Sequence, residues 1–312
     1  MEKDRSRETA QREHSVTIED IILDRDRRGI SKLRPHLASN FATEAAQLIL
    51  DNPGTAIIVT GFYILDAGYA ETDGPPGAVV IGSALNQLGY EVVHVTDRYA
   101  SDIMDKTGGD YSRVVEFPVV DDAASIEFAK GVIDDLNPSV VIAIERCGLT
   151  DEGKYRNMRG RDITDYNARI DHIFHADIPS VGIGDGGNEI GMGNLSEEVT
   201  QVESLVKIPC VTQTSKLMLA SVSNWGGYGL AAALSELSSR NLLPSIEEEQ
   251  ALLKQTVDLG AVDGMSPRSR RVQGGPHAGK PSPPSAQTGK WTQKTARLSR
   301  GAFYDDLAIH KR

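Results

Sequence analysis

The chain has 312 residues, 39% of them hydrophobic, which suffices for a buried core in one large α/β domain or two smaller ones. Its 44 acidic and 33 basic residues leave a net charge of −11, which argues against a duplex nucleic-acid binder and toward a small polar ligand. Two cysteines without CxxC spacing exclude a disulfide framework, and neither an apolar run of membrane-spanning length nor an apolar leader is present, so the sequence reads as that of a cytoplasmic protein.

After a charged N-terminal extension, residues 1–17, the stretch "TIEDIILDRDRRGISKL" opens on a Thr17-x-x-Asp20 capping signal and predicts a helix. "LASNFATEAAQLILDN" repeats apolar residues at helical spacing up to Pro53 and predicts a second. Four β-branched runs follow, "TAIIVTG", "YEVVHVT", "PSVVIAIE" and "IPSVGIG", separated by segments of helical length such as "PGAVVIGSALNQLG" and "AASIEFAKGVIDDLN". "KIPCVTQTSKLMLASVSNWGGYGLAAALSEL" adds a short strand and an apolar helix. This alternation predicts a Rossmann-like, three-layer α/β fold over residues 18–264, with a mostly parallel sheet covered on both faces and ligands bound beyond the carboxyl ends of its strands. Residues 265–312 carry ten Lys/Arg against two Asp and are rich in Pro, Gly and Ser, the composition of a disordered tail; a basic arm for an anionic partner is the alternative.

Chemistry-bearing residues stand where strands end. In "GFYILDAGYAETDGPPGA", Glu71 and Asp73 precede a Gly-Pro-Pro-Gly helix start. Thr72 or Asp73 could cap that helix, but two acids after so long a loop point to a ligand. "ERCGLTDEGKYRNMRGRDI" gathers Arg146, Tyr155, Arg156, Asn157 and Arg159, and paired guanidiniums suit a carboxylate or phosphate clamp. Cys147 has no neighbouring histidine and is set aside as a nucleophile. His172 and His175 lack further ligands for zinc and read as a solvated face. "IGDGGNEIGMG" sets Asp185, Asn188 and Glu189 among glycines. The acids would repel an anion, so the guest should be a cation, either an ammonium group or a divalent metal such as Mg²⁺ or Mn²⁺. Candidate metal ligands are Asp73, Asp185 and Glu189, with Glu71 beside them. "SNWGGYGL" places Asn224 and Trp225 next to a Gly pair, which suggests close approach of a backbone or ligand.

Four of these motifs, "ETDGPPGA", "YRNMRG", "IGDGGNEIGMG" and "SNWGGY", resemble the C-terminal domain of the D-glutamate cyclase family, over about Ile18 to Gly264. The resemblance implies a hydro-lyase that converts D-glutamate to 5-oxo-D-proline and water. It implies Asp185 or Glu189 as base, with Glu71 and Asp73 as further catalytic acids. Arg156 and Arg159 would be carboxylate clamps, and the Gly186 and Gly187 N–H groups with Asn188 would stabilise an oxyanion. Arg146, Tyr155, Asn157, Asn224 and Trp225 complete the expected substrate shell. Animal members carry a further, N-terminal hydro-lyase-like domain without a counterpart in these residues, so a separately encoded hydro-lyase is one expected partner and a second copy of the chain another. The remaining alternatives are a noncatalytic partner domain and a nucleotide- or phosphate-binding regulatory module.

Overall fold

The computed structural model describes residues 16–264; the basic tail expected over 265–312, and all but the last two residues of the expected N-terminal extension, lie outside the described residues. The chain runs α1 (Ile18–Ile22), α2 (Phe41–Leu50), β1 (Thr55–Val59), a small hairpin of β2 (Tyr63–Ile64) and β3 (Tyr69–Ala70), and α3 (Pro75–Gln87). It continues through β4 (Glu91–Thr96), α4 (Ser101–Thr107), β5 (Ser112–Glu116), α5 (Asp122–Leu136), β6 (Val140–Ile144) and β7 (Ser180–Gly184). Next come α6 (Ser196–Gln201), β8 (Lys216–Leu219), α7 (Ser223–Ser238) and α8 (Ile246–Asp258). Six strands form one parallel sheet in the order β5-β4-β1-β6-β7-β8.

The period-2 alternation of the strands divides two cores. Ala56, Ile58, Val140 and Ile142 face α1, α2, α3 and α7, whereas Ile57, Val59, Val93 and Val141 face α5 and a 3₁₀ turn at Ile170–His175. α8 packs on α3 and α4 beyond the β4 side. On the first face α3 and α7 approach so closely that a Cβ on Gly227 would stand 3.0 Å from the Gly77 Cα. Glycine at the crossing lets two helix N-termini meet at one end of the sheet.

The strand order reverses between β1 and β6. The chain leaves β1 toward β4 and β5, then returns to β6 on the other side, which opens a crevice beyond the carboxyl ends of those two strands. The predicted three-layer parallel architecture is the observed one.

Two local expectations are corrected. The helix expected from Thr17 keeps its capping box but ends at Ile22. Arg25 and Gly29 adopt left-handed φ of 54° and 85°, and the Asp26 carboxylate accepts from the N–H groups of Arg28, Gly29 and Ser31 and from the Ser31 hydroxyl. That local bonding replaces the helix with a loop. β5 is absent from the strands read off the sequence, because an edge strand with every side chain at least partly exposed leaves no buried apolar run to read.

Candidate active site

Five acids gather at the switch point. Glu71 and Asp73 come from the loop between β3 and α3, Glu145 follows β6, and Asp185 and Glu189 follow β7; Asp185 and Glu189 are each 1% exposed. Oxygens of Asp73, Glu145 and Asp185 lie within 4.8 Å of one another. Among the described residues Arg28, on the loop shaped by Asp26, faces them: its Nη1 pairs with Asp185 Oδ1, and Glu145, Asp73 and Glu71 also act on it.

Helix ends hold the acids in place. Asp73 accepts from the N–H groups of Ser223 at 3.1 Å and Asn224 at 2.8 Å, at the start of α7. Reciprocally, Asn224 Oδ1 accepts from Gly74 at 3.0 Å and Gly77 at 2.8 Å, at the start of α3, while its Nδ2 donates to the Thr72 carbonyl. Each helix thus caps the other, which satisfies donors a helix start leaves open. The capping role expected of Thr72 or Asp73 on α3 is largely taken by Asn224, though Asp73 also accepts from Gly74 at 3.1 Å. Glu145 sits at a left-handed φ of 45°, a conformation that costs a non-glycine residue about 1–3 kcal/mol and persists only where neighbours fix it. Its N–H donates to the Ile183 carbonyl, and its Oε2 accepts from the Ser223 hydroxyl at 2.5 Å.

Crowding governs protonation. Burial, with Asp73 and Asp263, pushes Glu71 up to about 8. Burial raises Asp73, and burial together with neighbouring acids holds Glu145 and Asp185 well above the usual carboxylate range, Arg28 acting oppositely on Asp185. Burial opposes the charge on Arg28, yet the four acids hold it above its ordinary value.

Acids raised in the folded state stabilise the protein below their unfolded values, and that contribution is lost as pH rises through the folded ones. Burial pushes His94 the other way, to about 4, so its effect is confined below pH 6.5. The thermal midpoint of chelator-treated protein is therefore expected to fall between about pH 6.5 and 8.5, and Glu71→Gln should flatten that slope. A midpoint constant or rising across this range would show that the acids are already neutralised.

Much of the expected substrate shell is engaged elsewhere. Arg156 pairs with Glu152 and donates to the Gly160 carbonyl, and Arg159 and Arg161 share Asp66 on the surface. Carboxylates outside the acid cluster thus hold these three guanidiniums. Arg146 is fully buried, paired with Asp97 at 2.7 Å and bonded to the carbonyls of Gly61 and Ala168. Tyr155 donates to Asp171 at 2.8 Å, and Asn157 closes a turn by accepting from the N–H groups of Arg159 and Arg161. Trp225 is half-buried against the core, and Asn224 is the helix cap described above. Gly187 N–H donates to Glu189 Oε2 at 2.8 Å, so it already has an acceptor where an oxyanion was expected. "YRNMRG" nonetheless packs on the glycine loop, through Asn188 Nδ2 on the Arg156 carbonyl and Met158 over Gly186. Cys147 is buried with its thiol pushed well up, the state of an inert cysteine. His172, on a 3₁₀ turn and not an α-helix, bonds Asp122 at 3.0 Å.

Sequence reasoning missed Arg28 and left Glu145 and Ser223 out of the site. The signals were faint: a charge-dense "DRDRRG", and a glutamate immediately after the apolar run "VVIAI".

Strand order and carboxylates together define an acid-lined, Rossmann-ordered α/β protein with its site at the switch point. Residues 18–273 match the family model described as D-glutamate cyclase-like, C-terminal, and the chain belongs to that family. It is 34% identical over 238 residues to the human protein named D-glutamate cyclase, mitochondrial, an alignment covering 70% of this chain and 38% of that protein. The chain thus matches well under half of that relative's length. Among solved structures, a short-chain dehydrogenase/reductase from Serratia marcescens is 11% identical and aligns over 47% of this chain and 64% of its own, with a TM-score of 0.27. A variant of actinorhodin polyketide ketoreductase with NADPH is 12% identical over 82% of this chain and 93% of its own, also at 0.27. At such TM-scores these likenesses carry no argument. Among the described residues no helix is long and apolar enough to cross a membrane.

Proposed function

We propose that this chain cyclises D-glutamate to 5-oxo-D-proline with loss of water. The observation that carries the reading is one guanidinium, Arg28, set among buried carboxylates of raised proton affinity at the switch point, in a chain of the D-glutamate cyclase-like family. Glutamate brings two carboxylates and one ammonium. Arg28 suits a carboxylate, and the acids suit the ammonium. Asp185, whose charged form the paired Arg28 favours, takes the proton from the ammonium. The freed amine attacks the γ-carboxyl carbon; the carbon–oxygen bond breaks, and the oxygen takes one proton from Glu71 and one from the attacking nitrogen and leaves as water, after which the proton held by Asp185 returns to Glu71. Glu71, with a value of about 8, carries a proton at neutral pH for that departure. Folding the substrate into a ring-forming pose supplies much of the rate.

A phosphate-binding reading is disfavoured by the same geometry, since an anion on the glycine loop would meet Asp185 and Glu189. The test is incubation of purified protein with D- and L-glutamate, with and without Mg²⁺ or Mn²⁺, and chiral detection of 5-oxoproline. The D-isomer is expected to be turned over and the L-isomer far more slowly. Background-level product from both would reject the reading and favour a noncatalytic partner domain.

A further inference from the structure

We propose that the open edge of the sheet at β5 is an interface between two copies of this chain, related by a two-fold axis through Val115. β5 ends the sheet among the described residues, whereas β8, at the opposite edge, is flanked by the 3₁₀ segment Ile30–His36. Beside β5, on the α5 face, a groove of about 310 Å³ is lined by Val115, Phe128, Val132 and Leu136. Glu127 and Asp135 border it, about two turns apart on α5. Gly131 lies between them. A Cβ there would meet nothing within 4 Å, so this glycine, which weakens a helix interior, answers no packing need among the described residues. It leaves room for a second backbone to come close.

A second copy fits this edge in hydrogen bonding, in side-chain direction and in charge. The Phe117 N–H donates to the Thr96 carbonyl, so by the alternation of a strand Arg113 and Val115 also address β4. The N–H and C=O groups of Val114 and Glu116 therefore point outward. Antiparallel pairing centred on Val115 sets Val114 opposite Glu116 of the second copy, and the two exchange N–H···O bonds on either side of the axis. Opposed residues in this register share a face of the sheet. Val115 then meets its own counterpart beside the groove, and Arg113 of the second copy stands opposite Phe117. The Phe117 ring packs edge-on against Phe128, 4.7 Å between centroids, and Phe128 adjoins Glu127 in α5. The arriving guanidinium thus comes to the Glu127 end of the groove, while Arg113 of the first copy pairs with Asp135 at the other end at 3.1 Å. Each acid bordering the groove gains an arginine, one from each copy. Such a two-fold contact uses up both β5 edges and stops at two copies.

Sedimentation and hydrogen exchange of the full-length chain test the interface. The native chain should sediment as a dimer at about 50 µM, and its Val114 and Glu116 amides should exchange at least about fivefold more slowly there than at about 0.5 µM. Val114→Pro removes an outward N–H and leaves the ladder to β4 intact, and Gly131→Arg fills the groove from an exposed helix position. Each should raise the dimer dissociation constant by more than about tenfold. Glu127→Lys, also at an exposed position, sets a like charge against the arriving Arg113 and should weaken association without lowering the thermal midpoint measured at the lower concentration. A native chain that stays monomeric up to about 200 µM overturns the proposal. So does a dimer that survives both Gly131→Arg and Glu127→Lys, or one whose Val114 and Glu116 amides exchange alike at the two concentrations, since either result places the contact on another face.

Discussion

Asp185→Asn is expected to lower the turnover of D-glutamate by about 10²–10⁴-fold, the usual contribution of a positioned proton acceptor. The amide keeps the shape of the carboxylate and an oxygen for Arg28, but it cannot take a proton from the ammonium. Stability should move differently from activity. Burial holds the Asp185 carboxyl well above its ordinary range, so a neutral isostere relieves a cost of charge and should unfold no earlier than the native chain at about pH 8. Arg28 keeps Glu145, Asp73 and Glu71 around it. Glutarate, which has both carboxylates and no amine, should bind the variant nearly as well as the native protein, since Arg28 is intact. Chiral product assay, calorimetry with glutarate and thermal unfolding together separate a chemical role from a structural one. Normal turnover in Asp185→Asn would remove that residue from the mechanism.

The sheet was legible because its central strands are buried on both faces. "AIIV" and "VVIAI" are unbroken apolar runs, and the helices between them keep their own period. The edge strand β5 and the loop that truncates α1 were not legible, since one lacks buried residues and the other depends on four hydrogen bonds to Asp26. At the site, the glycine loop was conspicuous because acids seldom sit among so many glycines. Its cation was not: Arg28 meets Asp185 across 157 residues of sequence. Arg156 and Arg159 show the opposite case. Guanidiniums close in sequence suggested a clamp, but a carboxylate four residues away claims Arg156, and Asp66 claims Arg159 and Arg161. Likewise Asn224 beside a Gly pair suggested a ligand contact, and in the structure its Oδ1 caps the N-terminus of another helix. A motif marks where chain segments converge; which side chains face inward depends on partners far away in the sequence.

The largest structural effect is expected at Arg146 and Asp97. Their side chains are 0% and 4% exposed, 2.7 Å apart, and they tie together the loops that follow β1, β4 and β6 through the Gly61 and Ala168 carbonyls and the N–H groups of Tyr99 and Ala168. Such a pair contributes little beyond what its desolvation costs, yet removing one member leaves the other charge buried and unpaired. Asp97→Ala should therefore destabilise by about 3–5 kcal/mol, a large share of the roughly 5–15 kcal/mol typical of a domain. Arg146→Lys keeps the charge but not the planar fork that reaches Asp97 and two carbonyls at once, so an intermediate loss is expected. The double variant Arg146→Met/Asp97→Ala should be more stable than the sum of its single changes predicts, because no charge is then left alone. Urea unfolding at constant slope measures all three. A loss below about 1 kcal/mol in Asp97→Ala would mean that water reaches the guanidinium, and the pair would then not be what fixes the crevice. If the pair does fix it, turnover should fall in Asp97→Ala even at temperatures where the variant is fully folded. Glu145 is bonded to Arg146 in the chain, and its left-handed backbone needs rigid neighbours to keep its carboxylate among the other acids.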